Sequence, residues 1–124
     1  MVTDEGLYKT FGVVGFQRAD EHMSQLESLL RAQGIPLAIA VYPWPQQVQA
    51  GDLASRQVTF WQEWAKRANV PFVNLFPTFI DGRDSERVIE DEYICGDVHW
   101  NRSGHRKVAE ALEAHHVLSM LLGR

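Results

Sequence analysis

The sequence predicts an α/β fold, a parallel sheet with flanking helices, and three observations carry that prediction. Leu37-Ala-Ile-Ala-Val-Tyr42 is a continuous apolar run rather than an alternating one, which suits a strand covered on both faces. Pro71-Phe-Val-Asn-Leu75 is a second short run of the same kind. Between them, Val58, Trp61, Trp64, Ala65 and Ala68 recur at helical spacing. Strand, helix and strand in that order make a βαβ unit with parallel strands and a right-handed crossover.

The remaining elements follow in chain order. Asp20 is a candidate cap for a helix from Glu21 to about Gln33, because Met23, Leu26, Leu29 and Leu30 share one face and Gly34 follows as a stop. Pro36 opens the first strand and Pro43-Trp-Pro45 ends it, leaving a loop-rich stretch over residues 43–52. The second helix is expected from about Leu53 to Ala68, with Arg56, Glu63, Lys66 and Arg67 between its apolar positions. Residues 77–97 read as a second loop-rich stretch. Asp81, Asp84, Glu86, Glu90, Asp91, Glu92 and Asp97 face only Arg83 and Arg87 there, without a clean period, which reads as a solvated loop. A calcium loop would need ordered Asp/Asn spacing and a central glycine, and both are missing. Tyr93-Ile-Cys95 is expected as a short strand with Cys95 buried as a small apolar residue. A final helix is expected from about Ser103, as its cap, to Leu121, carrying Val108, Ala111, Leu112, Met120 and Leu121 inward. His115-His116, near its end, suit the carbonyls of a helix C-terminus.

Composition bounds the function. The chain has 124 residues, 45% apolar and 23% charged, with 12 Lys and Arg against 16 Asp and Glu for a net charge of −4. That is the composition of one globular domain, so residues 1–124 read as a single α/β unit. The mild acidity excludes a binder of phosphate backbones, and nucleic acid is not an expected partner. The longest apolar run, Ile35 to Trp44, is broken by Pro36 and Pro43 and is too short for a transmembrane segment. The N-terminus, Met1-Val-Thr-Asp-Glu-Gly, is acidic and lacks the basic-then-apolar order of an export signal. Cys95 is the single cysteine, which rules out an intrachain disulfide and leaves the compartment unknown.

The stretch that carries chemistry is Gly96-Asp-Val-His-Trp-Asn-Arg-Ser-Gly-His105, a polar loop leading into the last helix. Ligands of open α/β sheets bind at the carboxyl ends of the strands, where such a loop sits. Asp97 and His99 are two residues apart, so in extended chain both point to one side and the carboxylate reaches the imidazole. A carboxylate so placed fixes the tautomer and stabilises the imidazolium, leaving the other ring nitrogen to take a proton from a nucleophile. The competing reading is a hydrogen bond that merely satisfies a helix-entry loop.

Gly96-Asp-Val-His-Trp-Asn-Arg-Ser-Gly-His-Arg-Lys-Val-Ala-Glu-Ala-Leu112 resembles the last conserved block of the SGNH (GDSL-type) hydrolase superfamily, which supplies the catalytic Asp and His before the C-terminal helix. The Val41-Tyr-Pro-Trp-Pro-Gln46 strand end, the Trp61 helix and Phe72-Val-Asn-Leu-Phe-Pro77 are similar to the segments that precede it, including in members associated with surface-polysaccharide modification. The resemblance implies a flavodoxin-like architecture, His99 as general base, Asp97 as its orienting acid, and an ester substrate, either a small molecule or an acylated carbohydrate. Two features depart from the family. One residue separates Asp97 from His99 where many members have two, and no serine follows Gly-Asp, since Gly96-Asp97 leads into Val98. Ser24, Ser28, Ser55, Ser85, Ser103 and Ser119 all lie outside such a motif. The chain then corresponds to the C-terminal half of such a domain, incomplete in its first strands. The serine and oxyanion donors would be supplied elsewhere.

Trp100, Trp44, Tyr42 and Asn101 complete the candidate site as substrate contacts, the two indoles on an acyl or sugar group. Core packing for the tryptophans and helix capping for Asn101 are the alternatives. His105 with His99 and Asp97 does not match a zinc spacing, and neither a metal nor another cofactor is expected. A rival function is a non-catalytic module that binds a carbohydrate or a protein partner through its tryptophans. A sheet lacking its first strands leaves an unpaired edge and an apolar face, which favours self-association of the isolated chain.

Overall fold

The computed structural model describes residues 4–123, apart from the side chains of Leu118 and Leu122; Met1 to Thr3 of the acidic N-terminus lie outside the described residues. Helical backbone begins at once. α1 (Glu5–Leu7), a π-helical turn (Tyr8–Gly12) and α2 (Val13–Ala32) run on without a break. Asp4 caps the start, its carboxylate accepting from the Leu7 amide at 2.8 Å. A Cβ on Gly12 would lie 2.4 Å from the Tyr8 ring, so glycine lets that ring fold over the widened turn. At the other end, Gly34 (φ +68°) closes the helix as predicted: its amide donates to Arg31 O and that of Ile35 to Leu30 O, the Schellman pattern.

The predicted start at Asp20 is corrected. The backbone ladder is unbroken back to Asp4, and Asp20 instead accepts from Ser24 Oγ at 3.1 Å and pairs with Arg67 at 2.5 Å. The predicted apolar face is only partly used, since Leu26 and Leu29 stay exposed. α2 meets α4 (Arg56–Ala68) through Trp64 Nε1, which donates to Ser24 Oγ at 3.1 Å, and through Phe16 against Phe60, with centroids 4.4 Å apart.

The βαβ unit is present. β1 (Ile39–Val41) and β2 (Phe72–Asn74) pair in parallel with Ile39 opposite Phe72, and α4 connects them, packing on both. Ser55 caps α4, so the helix starts three residues later than expected, and Asn69 ends it in the left-handed conformation (φ 55°). The described residues are 64% helical with this small parallel sheet, a mixed α/β fold. Two stretches expected as loops are helical. Residues 43–52 contain α3 (Pro45–Gln49), opened by proline at its first position. The buried Gln47 side chain accepts from the Trp44 amide at 3.0 Å and donates to Ser55 Oγ at 2.9 Å.

After β2 come α5 (Phe76–Phe79) and α6 (Ser85–Glu92), the latter capped by Asp84, whose carboxylate accepts from the Arg87 amide at 3.0 Å. The acidic stretch is therefore largely helical rather than a loop, while its acids other than Glu92 are exposed as expected. Val88 is buried, and Glu92, 4% exposed, receives Arg83 Nη2 at 2.8 Å and Lys107 Nζ at 2.9 Å. Burial pushes the Asp81 carboxyl up, but hydrogen bonds from Arg83 and the nearby charges of Lys107 and Arg83 outweigh it and hold it below its ordinary value. At Glu92, the buried carboxyl of this stretch, contacts to both Arg83 and Lys107 offset the hydration lost on burial.

Tyr93 forms a single antiparallel bridge with Trp100 instead of a strand, and Cys95 is exposed because it sits on the turn beyond that bridge. The last helix is two helices, α7 (Arg102–Ala114) and α8 (Val117–Leu122), separated where His116 takes a left-handed φ of 53°. In the turn between them the His115 and His116 backbone amides donate to Ala111 O and Glu113 O. Asn101, not Ser103, caps α7. Val108 enters the main core with Val73, Leu75, Phe79, Val88 and Tyr93, and Ala111, Leu112 and Leu121 pack against it; Met120 stays exposed.

α7 lies so close to α6 that a Cβ on Gly104 would sit 2.2 Å from Glu92 O and 2.9 Å from Trp100 Cβ. Alanine would ordinarily strengthen a helix interior by about 1 kcal/mol. Here Gly104→Ala is expected to destabilise by about 2 kcal/mol, seen as a lower urea midpoint with an unchanged m-value, because overpacking against backbone outweighs propensity. An equal or higher midpoint would show that the two helices do not approach this closely.

Candidate functional site

The Asp97–His99 pair sits on a closed hairpin. Ile94 N donates to His99 O at 2.9 Å beside the Tyr93–Trp100 bridge, and Asp97 N donates to Ile94 O at 2.9 Å across the tip. Gly96 occupies the third position of that tip with φ +73°, a conformation that L side chains resist. The hairpin base is held by Asn101. Its amide N donates to Glu92 O at 3.0 Å, and its side chain donates to Asp91 O at 2.8 Å and Tyr93 O at 3.2 Å. The same side chain accepts from the Ser103 and Gly104 amides at 2.8 and 3.1 Å.

The hairpin is anchored to the chain that leaves β1. The Tyr93 hydroxyl donates to Pro43 O at 2.7 Å, and the Trp100 ring lies 4.3 Å from that of Tyr42, centroid to centroid. Burial pushes the Tyr93 hydroxyl far above its ordinary titration range, so it acts as a neutral donor. Trp100 also stacks on Phe79 with planes 4° apart and meets the His105 ring edge-on at 5.4 Å. Both Tyr42 and Trp100 are half-buried. The loop thus reaches the carboxyl end of the parallel sheet, where α/β folds place their ligands.

Asp97 Oδ1 lies 2.6 Å from His99 Nδ1 and also accepts from the amides of Val98 at 2.6 Å and His99 at 3.2 Å. The His99 ring, then the backbone amides of His99 and Val98, hold the Asp97 carboxyl below its ordinary value. An acceptor at Nδ1 assigns the proton to that nitrogen in the neutral ring, so Nε2 carries the free lone pair. The His99 side chain is 70% exposed, and no hydroxyl is hydrogen-bonded to it among the described residues. Ser24, Ser28 and Ser55 have other partners: Asp20 and Trp64, the Ser24 carbonyl, and Gln47 with Gln57. A shallow depression of ≈ 350 Å³ opens beside the loop over Asn101, Arg102, Ser103 and Arg106. Among the described residues no three His, Cys, Asp or Glu side chains converge to hold a metal. No helix among them is long and apolar enough to cross a membrane.

The structure therefore brings Asp97 and His99 together, places Tyr42 and Trp100 in contact beneath the loop, and uses Asn101 to cap α7 and fix the loop base. Trp44 stands apart, 52% exposed, in a groove with Tyr8, Phe16, Gln57 and Trp61. Sequence reasoning passed over Tyr93 and Glu92 as site supports and missed this groove. Gly15, a glycine inside a helix, was the available signal. Comparison with known proteins gives no match, whether to a family model, to a curated protein or to a solved structure.

The hydrogen bond from His99 stabilises ionised Asp97, so its contribution is complete above the ordinary pKa of 3.8 and is lost as pH falls through the lower native value. In an NMR titration the Asp97 carboxyl is expected to titrate below 3.8, moving upward in His99→Ala. An unshifted Asp97 in the unsubstituted chain would show that the pair is not formed in solution.

Proposed function

We propose that this chain carries the acid-and-base half of an SGNH-type ester hydrolase or acyltransferase, in a flavodoxin-like arrangement whose nucleophilic serine comes from outside residues 1–124. The observation that carries this reading is the 2.6 Å Asp97–His99 contact on a hairpin held against the carboxyl end of β1. Asp97 orients the ring and compensates the imidazolium, and Nε2 accepts the proton of a serine hydroxyl as it attacks the ester carbonyl. The acyl group passes to the serine and the alcohol leaves with the proton returned by His99. Water then repeats the cycle to release the acid, or a second alcohol accepts the acyl group. Acylated carbohydrate is the favoured substrate class from the resemblance of the loop and the flanking segments.

A partial sheet fits the same reading. Each strand has one neighbour among the described residues, and Ala40 of β1 and Ile35 are both exposed, which favours self-association of the isolated chain. The second reading, a binding module without catalysis, draws on the exposed Trp44.

With p-nitrophenyl acetate, the isolated chain is expected to turn over near background. A polypeptide or complex that adds a serine in Gly-Asp-Ser context is expected to hydrolyse it, and His99→Ala should lower that rate by roughly a thousandfold or more. Equal rates with and without His99 would overturn the base assignment. Robust His99-dependent hydrolysis by the isolated chain would overturn the external nucleophile.

A further inference from the structure

The groove at Trp44 lies between the N-terminal helical segment and α4, has a volume of ≈ 290 Å³, and is walled by Tyr8, Phe16, Trp44 and Trp61 with Gln57 at its edge. Gly15 also lines it, and that glycine has no role in packing. A Cβ there meets no atom within 4 Å, and the residue lies inside α2 with ordinary helical neighbours. Glycine at such a position weakens a helix by about 1 kcal/mol relative to alanine. Gly12, by contrast, is explained by the Tyr8 ring that covers it. The consequence of Gly15 is an open groove floor.

Charge decides what fits. No carboxylate, ammonium or guanidinium group lines the groove, and Gln57 supplies its one polar side chain besides the Tyr8 hydroxyl and indole N–H groups. Ring faces would attract a cation. However, the Arg56 guanidinium already covers the Tyr8 ring face, 4.2 Å from its centre, and its pairing with Glu5 leaves no net cation for an anionic ligand. A free sugar ring would leave most hydroxyls without partners on walls this apolar. A neutral hydrocarbon group satisfies the site.

We propose that this groove binds the neutral hydrocarbon part of an ester, its acyl chain, packed between Trp44, Trp61 and Phe16 over Gly15. Trp44 directly follows Pro43, whose carbonyl holds the Tyr93 hydroxyl of the Asp97–His99 hairpin, so groove and hairpin leave the same end of β1. That the bound hydrocarbon belongs to an ester rests on the hydrolase reading above; the hydrocarbon site itself does not.

The test is a titration of the chain with methyl hexanoate, followed by tryptophan fluorescence and indole N–H shifts, with methyl glucoside and trimethylanilinium as comparison probes. Saturable binding of methyl hexanoate alone is expected. Gly15→Leu projects a side chain from a position where a Cβ meets no atom within 4 Å and strengthens the helix, so it should fold well and bind at least about tenfold more weakly. Trp44→Ala, at an exposed position, should do the same. Unaltered affinity in Gly15→Leu, no binding to the parent chain, or preference for the glucoside or the cation would overturn the proposal. Because the readout is binding, it can fail while His99-dependent turnover persists, and it can succeed where no turnover is found.

Discussion

The clamp between the end of α6 and the start of α7 is the constraint on which the candidate site depends. Glu92 O accepts the Asn101 amide, Tyr93 bridges Trp100, and the Asn101 side chain spans both sides by giving two hydrogen bonds to α6 and its exit and accepting two from α7. Each bond contributes about 1 kcal/mol net, yet together they close the seven-residue loop from Ile94 to Trp100 so that its ends cannot separate. A loop with fixed ends and a glycine turn at its tip leaves Asp97 and His99 few ways to avoid each other. Gly104 is part of the same constraint, since any side chain there would push α7 off the Glu92 carbonyl. The Arg83–Glu92–Lys107 ion network ties the two helices together from the other side, and Lys107 also lies over the Phe79 ring at 5.4 Å.

The clamp would position nothing useful if it floated free of the sheet. Tyr93 prevents this, because its ring is buried in the main core against Phe79 and its hydroxyl reaches Pro43. One residue therefore links the hairpin, the core and the strand exit. Trp100 repeats the link through Tyr42 and Phe79. Trp100 is half-buried by these contacts, whereas Trp44 is 52% exposed.

Much of this was legible in the sequence because it rests on strong local signals. The two apolar runs and the helix between them gave the βαβ unit, and Asp97-Val-His99 pointed to the pair, although residues 97–99 form bends rather than extended chain and Asp97 Oδ1 also accepts the Val98 and His99 amides. The acidic stretch was misread for a physical reason. α6 places only Val88 and Ile89 against protein, and the carboxylate of Glu92 is buried by cations distant in sequence, so neither periodicity nor charge signals burial. The start of α2 was misplaced because Asp20 has a capping side chain but an uninterrupted helix before it. The split of the last helix was hidden because His116 adopts its left-handed turn without a glycine.

The most direct test separates the cap from the clamp. Asn101→Ser retains a hydroxyl that can accept from the α7 amides but removes the two donor bonds to Asp91 O and Tyr93 O. If the clamp sets the site, the folded variant should show Asp97 titrating nearer its ordinary value of 3.8, together with faster exchange of the Ile94 amide that closes the hairpin onto His99. An Asp97 titration and an Ile94 protection identical to those of the unsubstituted chain would contradict it, and would mean that the Asp97–His99 pair forms by local geometry alone.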